Sequence, residues 1–170
     1  DFVKIREPGG SVNSEKIRRL ILNKKSNFNK MTDLLLYLAS RNENILQLKK
    51  FYKKKIILID RFVDSTIAYQ HYGFNVDIKV IKFINDFILG DFKVDYTFLN
   101  IVNKANMIKR LKNRKSLNRY DKFNANFYQK VQNGFLKIAK KDSKKYKIIN
   151  SNLQIDKNKN EIIQIVDKLL

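Results

Sequence analysis

Residues 55–70 read KIILIDRFVDSTIAYQ, and this stretch decides the fold. Ile56 to Ile59 is a short, continuous apolar run rich in β-branched residues, the pattern of a parallel strand buried on both faces. Asp60 and Arg61 stand where that strand ends, and a helix-like segment carrying Ser65, Thr66, Tyr69 and Gln70 follows at once. Open α/β sheets bind ligands beyond the carboxyl ends of their strands. A carboxylate at such a place orders a metal ion or a water, and a planar guanidinium grips a phosphate with two parallel hydrogen bonds. An Asp-Arg pair by itself is an ordinary charged turn. Its neighbours make it a site.

A second cluster lies near the start, in KIREPGGSVNSEKIRRLIL, residues 4–22. Phe2 to Ile5 reads as another buried strand. Arg6-Glu7-Pro8-Gly9-Gly10 follows as a tight loop, with proline fixing φ and the glycines permitting positive φ or close backbone approach. Asn13 or Ser14 is the expected N-cap of the next helix, whose apolar stripe is Ile17, Leu20 and Ile21. The third cluster is MTDLLLYLASR, residues 31–41. Thr32 is expected to cap a helix reaching about Tyr52, packed through Leu34, Leu35, Leu38, Ile45 and Leu48. Tyr37 and Arg41 are four apart and project from one face. An aromatic ring beside a guanidinium suits a nucleotide, the ring stacking on a base and the cation meeting a phosphate.

Taken together, the three clusters resemble the thymidylate kinase family, whose members phosphorylate dTMP to dTDP with ATP and magnesium. The TREPGG-type loop of that family is matched by residues 5–10, its LLLFAASR helix by residues 34–41, and its DRYxxSxxAYQ segment by residues 60–70. Downstream, Val94 to Leu99 looks like the PDLTIYL strand, and Asn118-Arg119-Tyr120-Asp121 like the DRxE segment of a mobile lid. Phe127 to Leu136 resembles the FFxRVRxGYLxLA helix, and Lys147 to Asn150 the last strand. The resemblance implies a P-loop NTPase-like, doubly wound parallel α/β sheet. It implies one nucleoside monophosphate kinase domain over residues 1–170, partial, with a lid segment at about 110–122.

The same resemblance implies roles. Tyr37 takes the place of the aromatic that stacks on thymine, Arg41 and Arg61 would hold the dTMP phosphate, and Glu7 and Pro8 would line its sugar and phosphate side. Ser65, Thr66 and Gln70 would lie against the base edge, and Tyr69 beside the deoxyribose. Asp60 would act through Mg2+ or its waters. Arg110, Arg114 and Arg119 would clamp ATP and the transferring phosphoryl group from the lid, since phosphoryl transfer rests on positioning and charge neutralisation. Asn150 and Ser151 would approach the adenine of ATP. Family members usually form homodimers, for which Leu34, Leu35, Leu38, Phe83 and Phe87 could supply a face.

One family element has no counterpart. The five glycines stand at positions 9, 10, 73, 90 and 134, and none opens a GxxxxGK[ST] phosphate loop. The expectation is that the first strand, the phosphate loop and its helix lie outside these residues, leaving the chain a poor enzyme on its own. In the family that strand is central, so its neighbours are expected to lose backbone partners and packing.

Composition supports one domain with a sizeable core: 170 residues, 44% hydrophobic. Lys plus Arg is 36 against 16 Asp plus Glu, a net charge of +20. The lysines are spread through every segment rather than gathered in a stripe, so the charge reads as codon bias and anionic ligands rather than specific nucleic-acid binding. No apolar run approaches the ~20 residues of a membrane span, and a cysteine-free chain suits the cytoplasm. Helices are expected at about 77–90, 103–113 and 123–140, with a polar loop at 152–160 before a final helix, Glu161 to Leu170. Other readings are a deoxynucleoside kinase, a non-catalytic nucleic-acid-binding domain, or a remnant that folds without catalysing.

Overall fold

The computed structural model describes all 170 residues. Strand β1 (Phe2–Arg6) leads through the Pro-Gly-Gly loop into helix α1 (Val12–Leu22), then α2 (Lys30–Leu48). Strand β2 (Ile56–Asp60) returns beside β1, parallel to it, with Ile5 opposite Ile59 and Arg6 opposite Asp60. A short helix α3 (Val63–Thr66) widens into a π-helical stretch (Ile67–Gly73), and α4 (Ile78–Leu89) follows. Strand β3 (Thr97–Ile101) and α5 (Lys104–Lys112) precede a single 3-10 turn (Tyr120–Lys122). Helix α6 (Ala125–Lys141), strand β4 (Tyr146–Asn150) and α7 (Ile155–Leu169) complete the chain. β4 pairs parallel with β3, Leu99 opposite Ile148.

The strands thus form two parallel pairs, β1-β2 and β3-β4, and no ladder joins them. β2 and β3 each bond on one side only. The expected burial of β2 on both faces is corrected accordingly. Ile57 and Ile59 pack on a core of Ile5, Ile45, Leu48 and Phe92, whereas Ile56 and Leu58 are exposed, because helices cover only one face of that pair.

A second core joins α2 to α4: Leu34 and Leu38 meet Val76 and Ile81, all nearly inaccessible. Four boundaries differ from the sequence expectation. Helix α1 is capped by Ser11, whose Oγ accepts from the Ser14 amide, and α2 by Asn29, whose Oδ1 accepts from the amides of Met31 and Thr32 at 3.0 and 2.9 Å. Both helices start a turn earlier than the expected caps, because an earlier Ser or Asn competes for the same orphan amides. α2 stops at Leu48, short of Tyr52. The polar stretch 155–160 is the first turn and a half of α7 rather than a loop, and Asn158 ties it back by donating to the Asn150 carbonyl at 3.0 Å.

Candidate active site

The site is built where β1 and β2 end together. The Glu7 amide donates to the Asp60 carbonyl at 2.8 Å, extending the parallel ladder one step beyond its last paired residues. That bond sets the Pro-Gly-Gly loop beside Asp60 and Arg61. The loop is held from below: the Gly9 amide donates to Ser14 and Ser40 hydroxyls at 3.1 and 3.2 Å, and Asn44 Nδ2 donates to the Gly9 carbonyl at 2.8 Å. Gly10 has φ +112°, and a Cβ there would fall 2.4 Å from Ile5 Cγ1. Only glycine fits that turn.

Arg41 comes up from α2 to meet this loop. Its Nε and Nη2 donate to Glu7 Oε2 at 2.9 and 2.7 Å, its Nη1 to Asn85 Oδ1 at 2.5 Å and its Nη2 to Thr66 Oγ1 at 3.0 Å. Four of the five N–H groups of the guanidinium are therefore engaged within the protein. Arg41 is 1% exposed and Glu7 5%. The pair is a structural keystone that also faces the ligand space.

That space is a cavity of about 500 Å³. Glu7, Pro8, Tyr37 and Arg41 from the first half of the chain line it, together with Arg61, Ser65, Thr66, Tyr69 and Gln70. Every residue expected on the dTMP side is therefore on one wall or another of a single cavity. Arg110 and Arg114 line it too. The remaining four expected residues do not. Asp60 is exposed at the strand end, and Asn150 and Ser151 lie at the end of β4, where the Ser151 carbonyl accepts from Arg110 Nη2 at 2.5 Å. Arg119 turns away from the cavity to pair with Asp33.

The charges of the wall do not cancel. Five arginines face it (Arg18, Arg41, Arg61, Arg110 and Arg114) against two acids, Glu7 and Asp121. Glu7 is paired with Arg41 and Asp121 with Arg114. Arg18, Arg61 and Arg110 are left without a carboxylate, a concentration of positive charge that attracts a multiply charged anion. Burial, then the neighbouring Arg6, lower the Arg18 guanidinium below its ordinary value, and an arginine so shifted remains a cation. Arg61 has φ +64°, and its guanidinium carbon lies 5.7 Å from the centre of the Tyr69 ring. A non-glycine residue in the left-handed region is costly backbone of the kind found at ligand clamps.

The other part of the wall is aromatic. Tyr120 meets Tyr37 edge-on at 6.1 Å between ring centres and Tyr69 at 5.9 Å. Burial pushes the Tyr37 hydroxyl well above its ordinary value and that of Tyr128 up to about 12. Gln70 is 1% exposed, lines the cavity, and its Nε2 has no partner in the protein. A planar ring with a carbonyl at its edge, attached to a phosphate, is the kind of ligand such a wall accommodates.

The sequence model of the family described as Thymidylate kinase matches residues 2–162. The chain belongs to that family. The thymidylate kinase of Mycoplasma capricolum is 39% identical over 166 residues, covering 95% of this chain and 78% of that protein. The thymidylate kinase of Thermosipho africanus is 37% identical over 171 residues, covering 99% and 84%. Among solved structures, the crystal structure of thymidylate kinase from Ehrlichia chaffeensis superposes with a TM-score of 0.74 at 30% identity, covering 98% of this chain and 80% of that one. The likeness reaches across almost the whole chain and includes every element that carries the cavity.

Within this family frame, sequence reasoning missed part of the wall. Arg18 and Leu22 line the cavity, and both share a helix face with the buried Ser14, at spacings of four residues. That spacing was a usable signal. Asp33, one turn before Tyr37 and two before Arg41, does not line the cavity but was equally legible as a member of their stripe. Tyr120 and Tyr128 had no local signal, since the first sits in an irregular segment and the second on a face that α6 turns inward.

Proposed function

We propose that this chain binds dTMP in the cavity described above and takes part in transfer of the γ-phosphoryl group of ATP to it, giving dTDP for dTTP synthesis. Gln70 carries the reading. A buried amide donor without a protein partner costs roughly 1–3 kcal/mol, and a carbonyl on the edge of a pyrimidine would satisfy it. Tyr37 and Tyr69 would hold the ring and the deoxyribose. Arg61 and Arg18, which no carboxylate neutralises, would receive the phosphate, while Arg41 would act mainly by holding Glu7 and Thr66 in place.

Arg110 and Arg114 would stabilise charge on the transferring group from the lid, about residues 110–122, since this reaction is catalysed by positioning and electrostatics. ATP is the co-substrate of this reading. Its phosphates need a loop of the GxxxxGK[ST] kind, which no stretch of these residues supplies. Mg2+ is usually held by one or two carboxylates together with substrate phosphates. Asp60 fits that modest demand, being exposed at the strand end and close enough to act on the charge of Arg18. When bound, Mg2+ would neutralise phosphate charge.

The reading also includes a cytoplasmic homodimer. Phe83 and Phe87 are four apart on α4 and 75% and 84% exposed, and Leu35 is exposed on α2, which packs beside α4. Leu34 and Leu38 are occupied in the core. Sedimentation of the full-length protein with Phe83→Asp and Phe87→Asp together would report a monomer if these rings form the interface.

Calorimetric titration of the full-length protein tests the substrate. dTMP should bind, thymidine should bind at least tenfold more weakly for want of the charge-assisted phosphate contacts, and Gln70→Leu should reduce affinity for dTMP. Equal affinity for thymidine and dTMP would point instead to a nucleoside kinase. No binding of either would remove the nucleotide reading.

A further inference from the structure

Asp33 sits in the first turn of α2 and is 3% exposed. A carboxylate so deeply buried needs its own donors. It has two, both from the irregular segment between α5 and α6: the hydroxyl of Tyr120 and Nη2 of Arg119. The Arg119 guanidinium lies between two aromatic rings, its carbon 5.0 Å from the centre of Tyr120 and 5.6 Å from that of Phe28. The Arg119 amide in turn donates to the carbonyl of Leu22 at the end of α1. Two residues along, Asp121 pairs with Arg114 and accepts from the Asn118 amide at 2.8 Å.

These contacts join two sets of cavity residues that are far apart in sequence. Tyr37 and Arg41, which line the cavity, share a stripe on α2 with Asp33, and Tyr120 and Arg114, which also line it, belong to the segment that follows α5. Beside the edge-on contact of Tyr37 and Tyr120, the Asp33 carboxylate is the hydrogen-bonded link between them. A buried ion pair contributes little net stability against an apolar replacement, and its best-attested use is to impose one register on parts that would otherwise slide. Burial, with Tyr37 and Asp33 beside it, holds the Tyr120 hydroxyl far above its ordinary value, so it remains a donor at any physiological pH.

We propose that Asp33 is a positioning residue: by holding Tyr120 and Arg119 it docks residues 114–122 on α2, so that the Tyr120 ring completes an aromatic cage with Tyr37 and Tyr69 and Arg114 is aimed into the cavity. Asp33 itself does not line the cavity and touches no substrate. The inference rests on the reading of the cavity as the dTMP site. It predicts that the base-binding wall and the arginine-bearing segment move as one unit.

The test uses the full-length protein with Asp33→Asn, which keeps the shape, and Tyr120→Phe, which keeps the ring and the Arg119 ion pair. Affinity for dTMP is measured by calorimetry, and trypsin cleavage at Arg114, Lys115 and Lys122 is followed with and without dTMP, well below each melting temperature. Asp33→Asn should weaken dTMP about tenfold, the factor for one lost charge-assisted contact. It should also speed cleavage in the segment and abolish the protection that dTMP gives. Asp33→Glu should recover part of each effect, and Tyr120→Phe should show a smaller version of both. A merely structural role would lower the melting temperature without altering the ratio of bound to free cleavage. If wild-type protein binds dTMP and both variants bind and are protected as it is, the positioning role is overturned while the dTMP site stands. If wild-type protein binds no dTMP, the site reading falls and this inference with it.

Discussion

Arg41 and Glu7, thirty-four residues apart, meet through two hydrogen bonds of 2.9 and 2.7 Å in a place where neither is more than 5% exposed. They tie α2 to the loop that follows β1, and Asn85 and Thr66 bring α4 and α3 to the same guanidinium. Removing one partner strands the other as an uncompensated buried charge. Arg41→Ala should therefore lower unfolding free energy by roughly 3–5 kcal/mol, read from urea denaturation of the full-length protein. Glu7→Gln keeps an acceptor for Arg41 and should cost less. A loss below about 1 kcal/mol for Arg41→Ala would show that water reaches the pair.

Much of this arrangement was legible beforehand, and particular residues show why. Tyr37 and Arg41 announce a shared face by their spacing, and Asp60-Arg61 announces a strand end by following Ile56 to Ile59. The Glu7-Arg41 bond was not legible, because both residues look like ligand contacts in sequence and only the fold shows that one occupies the other. The bare face of β2 was likewise hidden: Ile56 and Leu58 are as apolar as Ile57 and Ile59, and the difference lies in what packs on each side. The polar residues of 155–160 read as a loop because the first turn and a half of α7 is exposed nearly all round, and its apolar period begins only at Ile162.

Gly134 marks a close approach of α6 to the π-helical stretch. A Cβ there would lie 2.5 Å from Cδ2 of Tyr72 and 2.7 Å from its Cγ. Ring atoms cannot yield as the end of a flexible chain does, so Gly134→Ala should destabilise by about 1–2 kcal/mol, the overpacking cost outweighing the ~1 kcal/mol gained in helix propensity. Thermal melting checks the sign. A rise in melting temperature would mean that Tyr72 swings aside without cost.

Glu15 offers a pH test. Its carboxylate accepts from the Gly10 amide at 2.8 Å, and this bond, opposed by burial and aided by Arg6 and Arg18, holds its pKa below the ordinary 4.5. In acid the folded state therefore binds fewer protons than the unfolded state. The stabilisation is present above 4.5 and is lost as pH falls through the lower folded-state value. The side chain is partly solvated, so the amount is on the order of 0.5 kcal/mol. Wild type should exceed Glu15→Gln in stability near neutrality, and the two should converge in acid. Denaturation curves that stay parallel across that range would remove Gly10 and Arg6 as the cause.

Arg61 separates stability from binding. Its φ of +64° is one that side chains rarely adopt, and no carboxylate neutralises its charge. Its contact with the Tyr69 ring, 5.7 Å from the guanidinium carbon, is a weak reason for an arginine at a position that glycine would fill with less strain. A phosphate in the cavity would be a stronger one. Arg61→Gly should relieve the backbone and leave unfolding free energy equal or higher by up to about 1 kcal/mol, while deleting a charge-assisted contact worth roughly 1.5–3 kcal/mol to dTMP binding. Arg61→Ala should lose the same affinity without the backbone relief. Chemical denaturation and calorimetry on both variants distinguish the two contributions. Full retention of dTMP affinity in Arg61→Gly would transfer the phosphate to Arg18 and Arg110, the two other cavity arginines without a carboxylate partner.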